Sequence, residues 1–368
     1  MKRICMLLTS DVERDTRVLN EAEALSVEYD VTILVPDNGT PYTAKKPFKV
    51  KKVKYFKFPF HIFNLFSIMK ALTWAACKEK ADIYHGHDLH GLLIGYGPAL
   101  YHKKKLVYDS HELWPEMPNF SNLVGIKWIL KPLEAFGMTK VEKGIASDQS
   151  YADYLEKAHK KPFTAIRNIP VIDKIEKNKL SLREMFKGET IILHTGFTGA
   201  WRGIEQIIEA AQYLPTGFAV VFLGANRQLD VLEKKVKDLG LEKKVHFLPG
   251  VPPEELLMTS AEADLAVALT QNVSLSYYYS LPNKLFQYLA AEVPILGSDA
   301  PEYKRIILDE KIGEVVDPSD PKQIAKKIID MVSPEKQKMY RENLKGLAKR
   351  KYNWEAESQK LLDFYRGL

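Results

Sequence analysis

A lysine opens a predicted helix in the segment SLPNKLFQYLAAEVPIL, residues 280–296. The first turn of a helix already gathers unpaired N–H groups and the positive end of the peptide dipole, so Lys284 is unfavourable there unless an anion binds beside it. With Pro282 at the first helical position, the amine and the free backbone donors can hold an anion together. The alternative is a solvated lysine on an ordinary surface helix.

A glycine-containing loop gives a second cationic helix start, in HTGFTGAWRGIEQIIEAA, residues 194–211. A predicted strand ends before Gly196 and Gly199, and a helix begins just after Arg202 and Gly203. Glycine lets the backbone approach a ligand closely, and arginine can hold phosphate oxygens through two parallel hydrogen bonds. Two such helix starts predict a diphosphate ligand. The loop fits neither the P-loop nor the Rossmann dinucleotide pattern, which argues against a nucleotide hydrolase and a dehydrogenase.

Short β-rich apolar runs alternate with longer amphipathic segments along the chain, which predicts parallel sheets covered by helices on both faces. The alternation restarts after a polar, lysine-rich interval near residues 172–189. The runs that predict strands are RICMLLTS (3–10), DVTILVPD (30–37), ADIYHGHD (81–88), KLVYDSHE (105–112), FTAIRN (163–168), TIILHTG (190–196), FAVVFLG (218–224), KVHFLPG (244–250), ADLAVAL (263–269) and VPILGSD (293–299).

The length of the chain predicts more than one domain. It has 368 residues and is 46% hydrophobic, which exceeds the length that a single core usually serves. We therefore predict an α/β fold of two domains, 1–172 and 173–350, each a doubly wound, Rossmann-like parallel sheet, facing each other across a cleft. Ligands of such sheets gather at the carboxyl ends of the strands, and both cationic helix starts follow predicted strands.

Composition narrows the class of protein and its location. The net charge of +6 is modest for this length, so we predict no nucleic-acid partner. Cys5 and Cys77 are too few for a disulfide framework, which favours a reducing compartment. No run approaches the length of a membrane-spanning helix, and residues 1–10 predict a first strand rather than a signal peptide. We expect a cytoplasmic protein.

Three histidines lie within or just after the third predicted strand. His85, His87 and His90 suggest a metal site, but their spacing spans a strand end and a turn, and no nearby cysteine completes a ligand set. We predict no metal. His85 is expected to pack within the strand, and His87 and Asp88 to border the cleft.

The next predicted strand ends in another polar group. Asp109 and Glu112 flank His111, where they can tune its charge or bind the hydroxyls of an acceptor. A second interpretation, that Asp109 caps a turn, fits the sequence equally well.

The segments quoted above resemble a known family. SLPNKLFQYLAAEVPIL is similar to the P-[SN]-K-L-F-E-Y-x-A-x-G-x-P-V signature of family-4 glycosyltransferases of the GT-B fold, particularly bacterial enzymes of surface-polysaccharide assembly. The resemblance covers nearly the whole chain. Further similar segments are DVERDTRVLNEAEAL (11–25), HGHDLHGLL (85–93), LVYDSHELWPE (106–116), HTGFTGAWRGIEQIIEAA (194–211), VHFLPGVPPEEL (245–256) and IGEVVDPSDPKQIAKKI (312–328).

The resemblance implies a reaction: transfer of a sugar from a nucleotide diphosphate sugar to a glycan or lipid-linked acceptor, with retention of anomeric configuration and without an obligatory metal or cofactor. The second domain would bind the donor and the first the acceptor, and residues 351–368 would form a helix that returns to the first domain. Arg202 and Lys284 would hold the diphosphate and offset charge on the leaving group. His111 would reach the transferred sugar. These three are the predicted catalytic residues.

The family motifs place further residues in the site. The Gly250-Val251 turn would lie against the nucleobase, and Asp11, Arg14 and Arg17 match a loop that closes near the donor phosphates, although Arg17 can instead make contacts along the first helix. The predicted donor-binding residues are Gly196, Gly199, Arg202, Gly250, Val251, Tyr279, Asn283, Lys284 and Gln287. The predicted acceptor and cleft residues are Asp11, Arg14, Arg17, His87, Asp88, Asp109 and Glu112.

The chain departs from the family pattern at the donor site. The usual pair of glutamates, eight positions apart, falls on Tyr279 and Gln287, and Glu292 stands where glycine is common. Gln287 keeps an oxygen acceptor for ribose hydroxyls and adds two donors, but its hydrogen bonds are uncharged and weaker. The alternatives are therefore a catalytically impaired nucleotide-sugar binding protein and, on the same scaffold, a sugar-nucleotide epimerase or hydrolase.

A basic aromatic segment extends from Lys45 to Lys78. Seven lysines lie between Lys45 and Lys57, no acidic residue occurs from 39 to 78, and aromatic side chains such as Phe63, Phe66 and Trp74 follow. Basic charge beside exposed aromatic rings suits an anionic membrane surface, which predicts peripheral contact with the inner face of the cell membrane and a lipid-linked acceptor. The alternative is an edge strand protected by its lysines and followed by a core helix.

Overall fold

The chain divides into two compact units in a computed structural model, which describes residues 1–121, 125–171, 180–224 and 228–368, and only the backbone of residues 14, 120 and 121. The first unit contains Met1–Asn168 and Glu355–Leu368, and the second contains Ile169–Trp354. The predicted boundaries, after residues 172 and 350, lie close to these divisions.

The first unit alternates strands with helices. Its elements are β1 (Arg3–Leu7), α1 (Thr16–Leu25), β2 (Asp30–Pro36), β3 (Lys49–Val53), α2 (His61–Glu79), β4 (Ile83–His87), α3 (Asp88–Tyr101), β5 (Lys105–Ser110), α4 (Pro118–Ser121), α5 (Ile126–Met138), β6 (Gly144–Ala146), α6 (Gln149–His159) and β7 (Phe163–Ala165). The strands form one parallel sheet in the order β3-β2-β1-β4-β5-β6-β7.

The second unit repeats this architecture with a second sheet. Its elements are α7 (Leu182–Met185), β8 (Thr190–Thr195), α8 (Ile204–Ala210), β9 (Phe218–Leu223), α9 (Leu229–Asp238), β10 (Val245–Leu248), α10 (Pro253–Ala261), β11 (Leu265–Ala268), α11 (Leu275–Tyr279), α12 (Asn283–Ala290), β12 (Ile295–Ser298), α13 (Pro301–Ile307), β13 (Gly313–Val316), α14 (Pro321–Met331), α15 (Pro334–Leu344) and α16 (Leu347–Lys351). The sheet is parallel in the order β10-β9-β8-β11-β12-β13.

A final helix, α17 (Trp354–Arg366), joins the core of the first unit. Leu361, Phe364 and Tyr365 are buried among apolar side chains of β1, β2 and α1. The chain therefore leaves the first unit after β7 and returns to it after the whole second unit, and residues from both ends share one core.

Strand order fixes where ligands can bind. In each sheet the order reverses beside the first strand, so that β1 lies between β2 and β4, and β8 lies between β9 and β11. Doubly wound sheets bind ligands at this reversal, beyond the carboxyl ends of the strands. The loops after β1 and β4, and those after β8 and β11, meet this condition.

The ten predicted strands are confirmed, although each observed strand is shorter than its predicted run. Within the described residues, β3, β6 and β13 were not among the predictions. The first is rich in lysine, and the other two contain only three and four residues, so none shows the apolar run that predicts a buried strand. In the same part of the chain, no helix combines the length and the apolar character needed to cross a membrane.

The basic aromatic segment forms an edge strand and a helix. β3 lies at the edge of the first sheet, as the alternative interpretation predicts. The helix that follows is not a core helix, because Leu72 and Ala76 are its buried residues. Phe63, Phe66 and Trp74 are each more than half exposed.

Close backbone contact holds α3 against β4. A Cβ atom added to Gly86 would lie 2.3 Å from the carbonyl carbon of Gly91, and one added to Gly91 would lie 2.7 Å from the carbonyl oxygen of Leu7. These contacts involve backbone atoms, which cannot rotate away as side chains do. They therefore fix the position of the junction between β4, which ends at His87, and α3, which begins at Asp88.

We expect Gly86→Ala to lower the free energy of unfolding by about 3 kcal/mol, because its methyl group meets backbone. Chemical denaturation followed by circular dichroism would measure the change. Gly97→Ala is the control, since its Cβ would lie 3.6 Å from a methyl carbon of Thr73 on α2, an ordinary van der Waals contact, and alanine favours a helix over glycine. Equal unfolding midpoints for the two variants would contradict the close-contact interpretation.

Candidate active site

The helix that carries Lys284 begins without a side-chain cap. Pro282 has extended backbone angles (φ −75°, ψ 138°) and precedes the helix, whose first residue is Asn283. The prediction of Pro282 at the first helical position is therefore wrong by one residue, and Lys284 is the second residue of α12. Helices α1, α6 and α14 instead begin with aspartates that accept hydrogen bonds from their first turns. The first turn of α12 receives no such bond and keeps backbone N–H groups for a ligand.

Lys284 is held by a histidine. Its Nζ lies 2.8 Å from Nε2 of His194, and Nδ1 of His194 lies 3.1 Å from the carbonyl oxygen of Val267 on β11. Burial and the Lys284 charge keep the pKa of His194 well below its usual value, so the ring is neutral. It donates from Nδ1 to Val267 and accepts from Lys284 at Nε2.

Arg202 provides the second cation. It precedes α8, its guanidinium lies 5.1 Å from the ring centre of Tyr277, and a pocket of about 310 Å³ opens beside residues 198–206. Burial and the charge of Arg202 lower the pKa of Lys284 to about 7. Among the described residues, neither cation forms an ion pair with a carboxylate. Two neighbouring cations without an acid suit a ligand that carries negative charge.

Three strand ends in the second unit meet through glycines. A Cβ on Gly224 would lie 3.5 Å from Cα of Gly196 and 3.7 Å from Cα of Gly250. Gly196 and Gly224 have φ of +85° and +88°, in the left-handed region that favours glycine. The loops after β8, β9 and β10 thereby expose backbone without side chains, as close approach of a ligand requires.

The other predicted donor-binding residues also belong to the second unit. A Cβ on Gly199 would meet the ring of Phe197, and Val251 packs partly against the core. Tyr279 ends α11 with its ring 5.4 Å from that of Tyr278. Asn283 is exposed, and Gln287 is half-buried on α12.

In the first unit, a buried ion pair joins α1 to β5. Arg17 donates from Nη2 to Oδ1 of Asp109 at 2.7 Å and from Nε to Oδ2 at 3.2 Å, and a third bond reaches the carbonyl oxygen of Ile166 at 2.6 Å. Burial favours the neutral acid, but the charges of Arg17 and His111 outweigh it and hold the pKa of Asp109 well below its usual value. Arg17 is therefore a buried partner of Asp109, and Asp109 does not merely cap a turn.

His111 is a second cationic partner of Asp109. Its Nε2 lies 2.8 Å from Oδ2 of Asp109, and its backbone N–H donates to Asp88 at 2.9 Å. Burial opposes the charged ring, but Asp109 and Asp88 outweigh it and raise the pKa of His111 to about 9. The imidazolium keeps 16% of its side-chain surface exposed, and its Nδ1 lies 3.9 Å from Asp88, beyond hydrogen-bond distance. His111 can thus donate a charged hydrogen bond to a substrate.

A group of four buried residues lies behind His111. Glu21, His85, His87 and Asp109 each place a ligand atom within 4.8 Å of the others, a grouping that can hold a metal ion. The guanidinium of Arg17 lies among them, 3.0 Å from Glu21. Burial raises the pKa of Glu21 to about 8 despite this neighbour. The set differs from the histidines considered from the sequence, because His90 instead packs its ring against Trp114.

Other predicted residues of the first unit have structural partners. Asp11 accepts from the backbone of Glu13 and from Asn38 at 3.2 Å each. His87 is buried, contrary to its predicted position at a border. Glu112 lies 3.4 Å from the hydroxyl of Tyr151. The side chain of Arg14 lies outside the described residues.

Three residues in or beside these sites were not found from the sequence. Glu21 follows Arg17 by four positions on α1, a spacing that places the two on one helix face and could have indicated the pair. Tyr365 contacts Nδ1 of His85 through its hydroxyl, although 280 positions separate them. His194 lies two residues before the glycine loop. No local pattern indicates either of these contacts.

Comparisons with known proteins agree with this architecture. A family model described as glycosyl transferases group 1 matches residues 176–349, and one described as Glycosyltransferase Family 4 matches residues 15–170. An uncharacterised glycosyltransferase of Methanocaldococcus jannaschii is 23% identical over 94% of this chain and 91% of its own length.

Solved structures share the fold over the whole chain. Sucrose-phosphate synthase of Thermosynechococcus elongatus superposes with a TM-score of 0.79 at 16% identity, covering 100% of this chain and 99% of that one. HepE of Anabaena, in complex with UDP, superposes with a TM-score of 0.79 at 14% identity and full coverage of both chains. The fold is the two-domain α/β architecture called GT-B. The chain belongs to the group 1 glycosyltransferases and is a transferase.

We expect Asp109→Asn to lower the pKa of His111 from about 9 towards its ordinary value of about 6.5, because the main charge that stabilises the imidazolium is removed. NMR titration of the histidine side chains would measure it, with His111→Gln assigning the signal. Glu21→Gln is the matched control, since Glu21 is also buried beside Arg17 but does not contact His111. A pKa of His111 that is unchanged by Asp109→Asn, or equally lowered by Glu21→Gln, would contradict the assigned pairing.

Proposed function

We propose that this enzyme transfers a sugar from a nucleotide diphosphate sugar to a glycan or lipid-linked acceptor, with retention of anomeric configuration, in the assembly of cell-surface polysaccharide. The observation that carries the proposal is the pair of cations, Arg202 and Lys284, beside the uncapped start of α12 and without an acidic partner among the described residues. Two of the similar structures support a nucleotide-sugar donor, since HepE is described in complex with UDP and with UDP-glucose.

The proposed chemistry assigns each group one role. The bond from the sugar C1 to the diphosphate oxygen breaks, and negative charge develops on the departing diphosphate, where Arg202 and Lys284 offset it. The acceptor hydroxyl attacks C1 from the same face, and its proton passes to the departing diphosphate. His111 donates a charged hydrogen bond to the transferred sugar and helps to orient it.

We propose that the transfer requires no metal. Divalent cations often neutralise a leaving diphosphate, and Arg202 with Lys284 can supply the same positive charge. In the first unit, Arg17 supplies a cation between Glu21 and Asp109. Neither site depends on a metal for charge balance.

The donor site leaves a second candidate open. Tyr279 and Gln287 stand where the family usually has glutamates, so neither position offers a carboxylate to accept hydrogen bonds from the ribose hydroxyls. A protein that binds a nucleotide sugar without transferring it would fit these two substitutions. Binding without product formation across a panel of acceptors would favour this candidate.

We propose that the basic aromatic segment places the enzyme at the cytoplasmic face of an anionic membrane. Lys49 and Lys51 are paired with Asp30 and Glu79, whereas Lys54, Lys57 and Lys70 form no ion pair within the described residues. Exposed rings lie near these lysines in sequence, with Phe56 71% exposed, Phe66 64% and Trp74 67%. Such a surface can insert rings between lipid headgroups while its lysines attract anionic lipid. A lipid-linked acceptor would be presented at the same surface.

Removing either donor-site cation should weaken donor binding. We expect Lys284→Ala and Arg202→Ala each to lower affinity for the preferred sugar nucleotide about 10- to 100-fold, the range for one charge-assisted hydrogen bond. Calorimetry with UDP-, GDP-, ADP- and dTDP-sugars would measure the affinities, first with Mg²⁺ and without EDTA and then with EDTA.

Lys322→Ala is the matched control for this experiment. Lys322 is likewise the second residue of its helix, α14, but the first turn of α14 is capped by Asp320. The donor-site assignment is wrong if no sugar nucleotide binds, or if Lys284→Ala and Arg202→Ala both bind it with the affinity of the parent. Binding that is lost in EDTA would overturn the proposal that no metal is needed.

Replacing two exposed rings of α2 should weaken membrane binding. We expect Phe63→Ser/Phe66→Ser to reduce association with vesicles containing anionic phosphatidylglycerol about tenfold, because apolar area that enters the headgroup region is lost. Co-sedimentation with these vesicles and with neutral phosphatidylcholine vesicles would measure it. Val27→Ser, which changes a 70% exposed residue in the turn after α1, is the control. Equal binding of the parent chain to both vesicle types would count against the membrane proposal.

A further inference from the structure

His194 connects the sheet of the second unit to the lysine of the donor site. It occupies the fifth position of β8 and is 1% exposed. One ring nitrogen faces the backbone of the neighbouring strand β11, and the other faces Lys284 on α12. The bond to Val267 fixes the orientation of the ring, so its second nitrogen offers a lone pair in one direction only.

Lys284 therefore has a neutral partner. An acidic residue at this place would neutralise the ammonium and compete with a diphosphate for it. A neutral imidazole accepts one of the three ammonium hydrogens and leaves the charge and two hydrogens for a ligand. Arg202 is the charged group that acts on Lys284 within the described residues, and it repels the ammonium.

We propose that His194 is a positioning residue for Lys284, which holds the amine at the donor site and lets it take up a proton as the diphosphate binds. The proposal rests on the proposed function, because it assigns the anion beside Lys284 to a nucleotide sugar. It adds that donor binding is coupled to a proton, and that a residue outside the family signature controls this coupling.

The coupling follows from the charges around the amine. Burial and Arg202 lower the pKa of Lys284 to about 7, so about half of the molecules carry the proton at pH 7. The diphosphate adds negative charge that favours the ammonium. Binding should therefore take up about half a proton at pH 7 and nearly one at pH 8, and affinity should fall as pH rises above 7. Tyr277 and Tyr303 are titratable groups on the Arg202 side of the pair: the guanidinium lies 5.1 Å from the ring centre of Tyr277, and its charge acts on Tyr303.

Two substitutions of His194 separate its two hydrogen bonds. Asparagine can donate to Val267 from about the position of Nδ1 but cannot reach Lys284. Glutamine is longer and can place its amide oxygen near the position of Nε2, where it accepts from the amine. A purely structural role would be disturbed by both variants, whereas a role in positioning Lys284 should be restored by glutamine.

The first measurement needs no ligand. NMR of the chain labelled in its lysines would follow the titration of Lys284, with Lys284→Arg assigning the signal. We expect a midpoint near pH 7 in the parent, about one pH unit lower in His194→Asn, the size of one hydrogen bond to an ammonium, and a return towards the parent value in His194→Gln. Equal midpoints in the parent and His194→Asn would overturn the proposal.

The second measurement counts protons during binding. Calorimetry of the preferred sugar nucleotide in Pipes and in Tris at one pH gives the protons taken up, and sugar nucleotides do not themselves titrate near pH 7. We expect His194→Asn to bind about three- to tenfold more weakly and to take up more protons at pH 7 than the parent. Lys284→Arg, which stays charged, should take up none.

The outcomes distinguish this inference from the proposed function. If no sugar nucleotide binds the parent, the donor assignment fails, and the ligand-free titration still decides the role of His194. If the donor binds and Lys284→Ala weakens it, but proton uptake is the same in the parent and His194→Asn, the donor assignment stands and the inference is wrong.

Discussion

A charge that is removed from water is costly unless an opposite charge lies beside it, and the two units of this transferase meet that constraint differently. In the first unit, Arg17 and Asp109 form a buried ion pair, and Asp109 together with Asp88 keeps His111 protonated. The charges there balance without a ligand. In the second unit, neither Arg202 nor Lys284 pairs with a carboxylate among the described residues, and burial and the charge of Arg202 lower the pKa of Lys284 to about 7. An anion bound beside the two cations would offset their charge, as in the proposed diphosphate site.

The sequence was sufficient for features that depend on local pattern. Apolar runs of a few residues predicted ten strands, since a strand buried on both faces must be apolar throughout. The glycine loop and Lys284 could be found because an anion site at a helix start needs residues that are close in sequence. Pro282 was misplaced by one position, because proline is acceptable both before a helix and at its first residue. The edge strand β3 was only an alternative interpretation, since its lysines carry the pattern of a solvated segment.

The centre of each site depends on residues that no local pattern brings together. His194 contacts Val267 only because β8 and β11 are neighbours in the second sheet. Asp109 faces Arg17 only because a single strand, β4, separates β5 from β1, the strand that precedes α1. His87 and Asp109 are register partners on β4 and β5, so their proximity follows once strand order is known. A sequence that predicts strands but not their order therefore yields the members of each site without their partners.

The contact between Tyr365 and His85 has a consequence for the order in which the two units complete their folding during synthesis. The strands of the first unit precede the second unit in the chain, but the core of the first unit stays incomplete during synthesis until α17 has been made. The unit whose strands are made first is therefore the later one to complete its core, and His85 lacks its contact with Tyr365 until α17 has been made. The half that is synthesised second contains all of its own strands and can fold while still tethered. A chain interrupted before α17 would consequently carry a second unit with all of its strands beside a first unit whose core lacks Leu361, Phe364 and Tyr365.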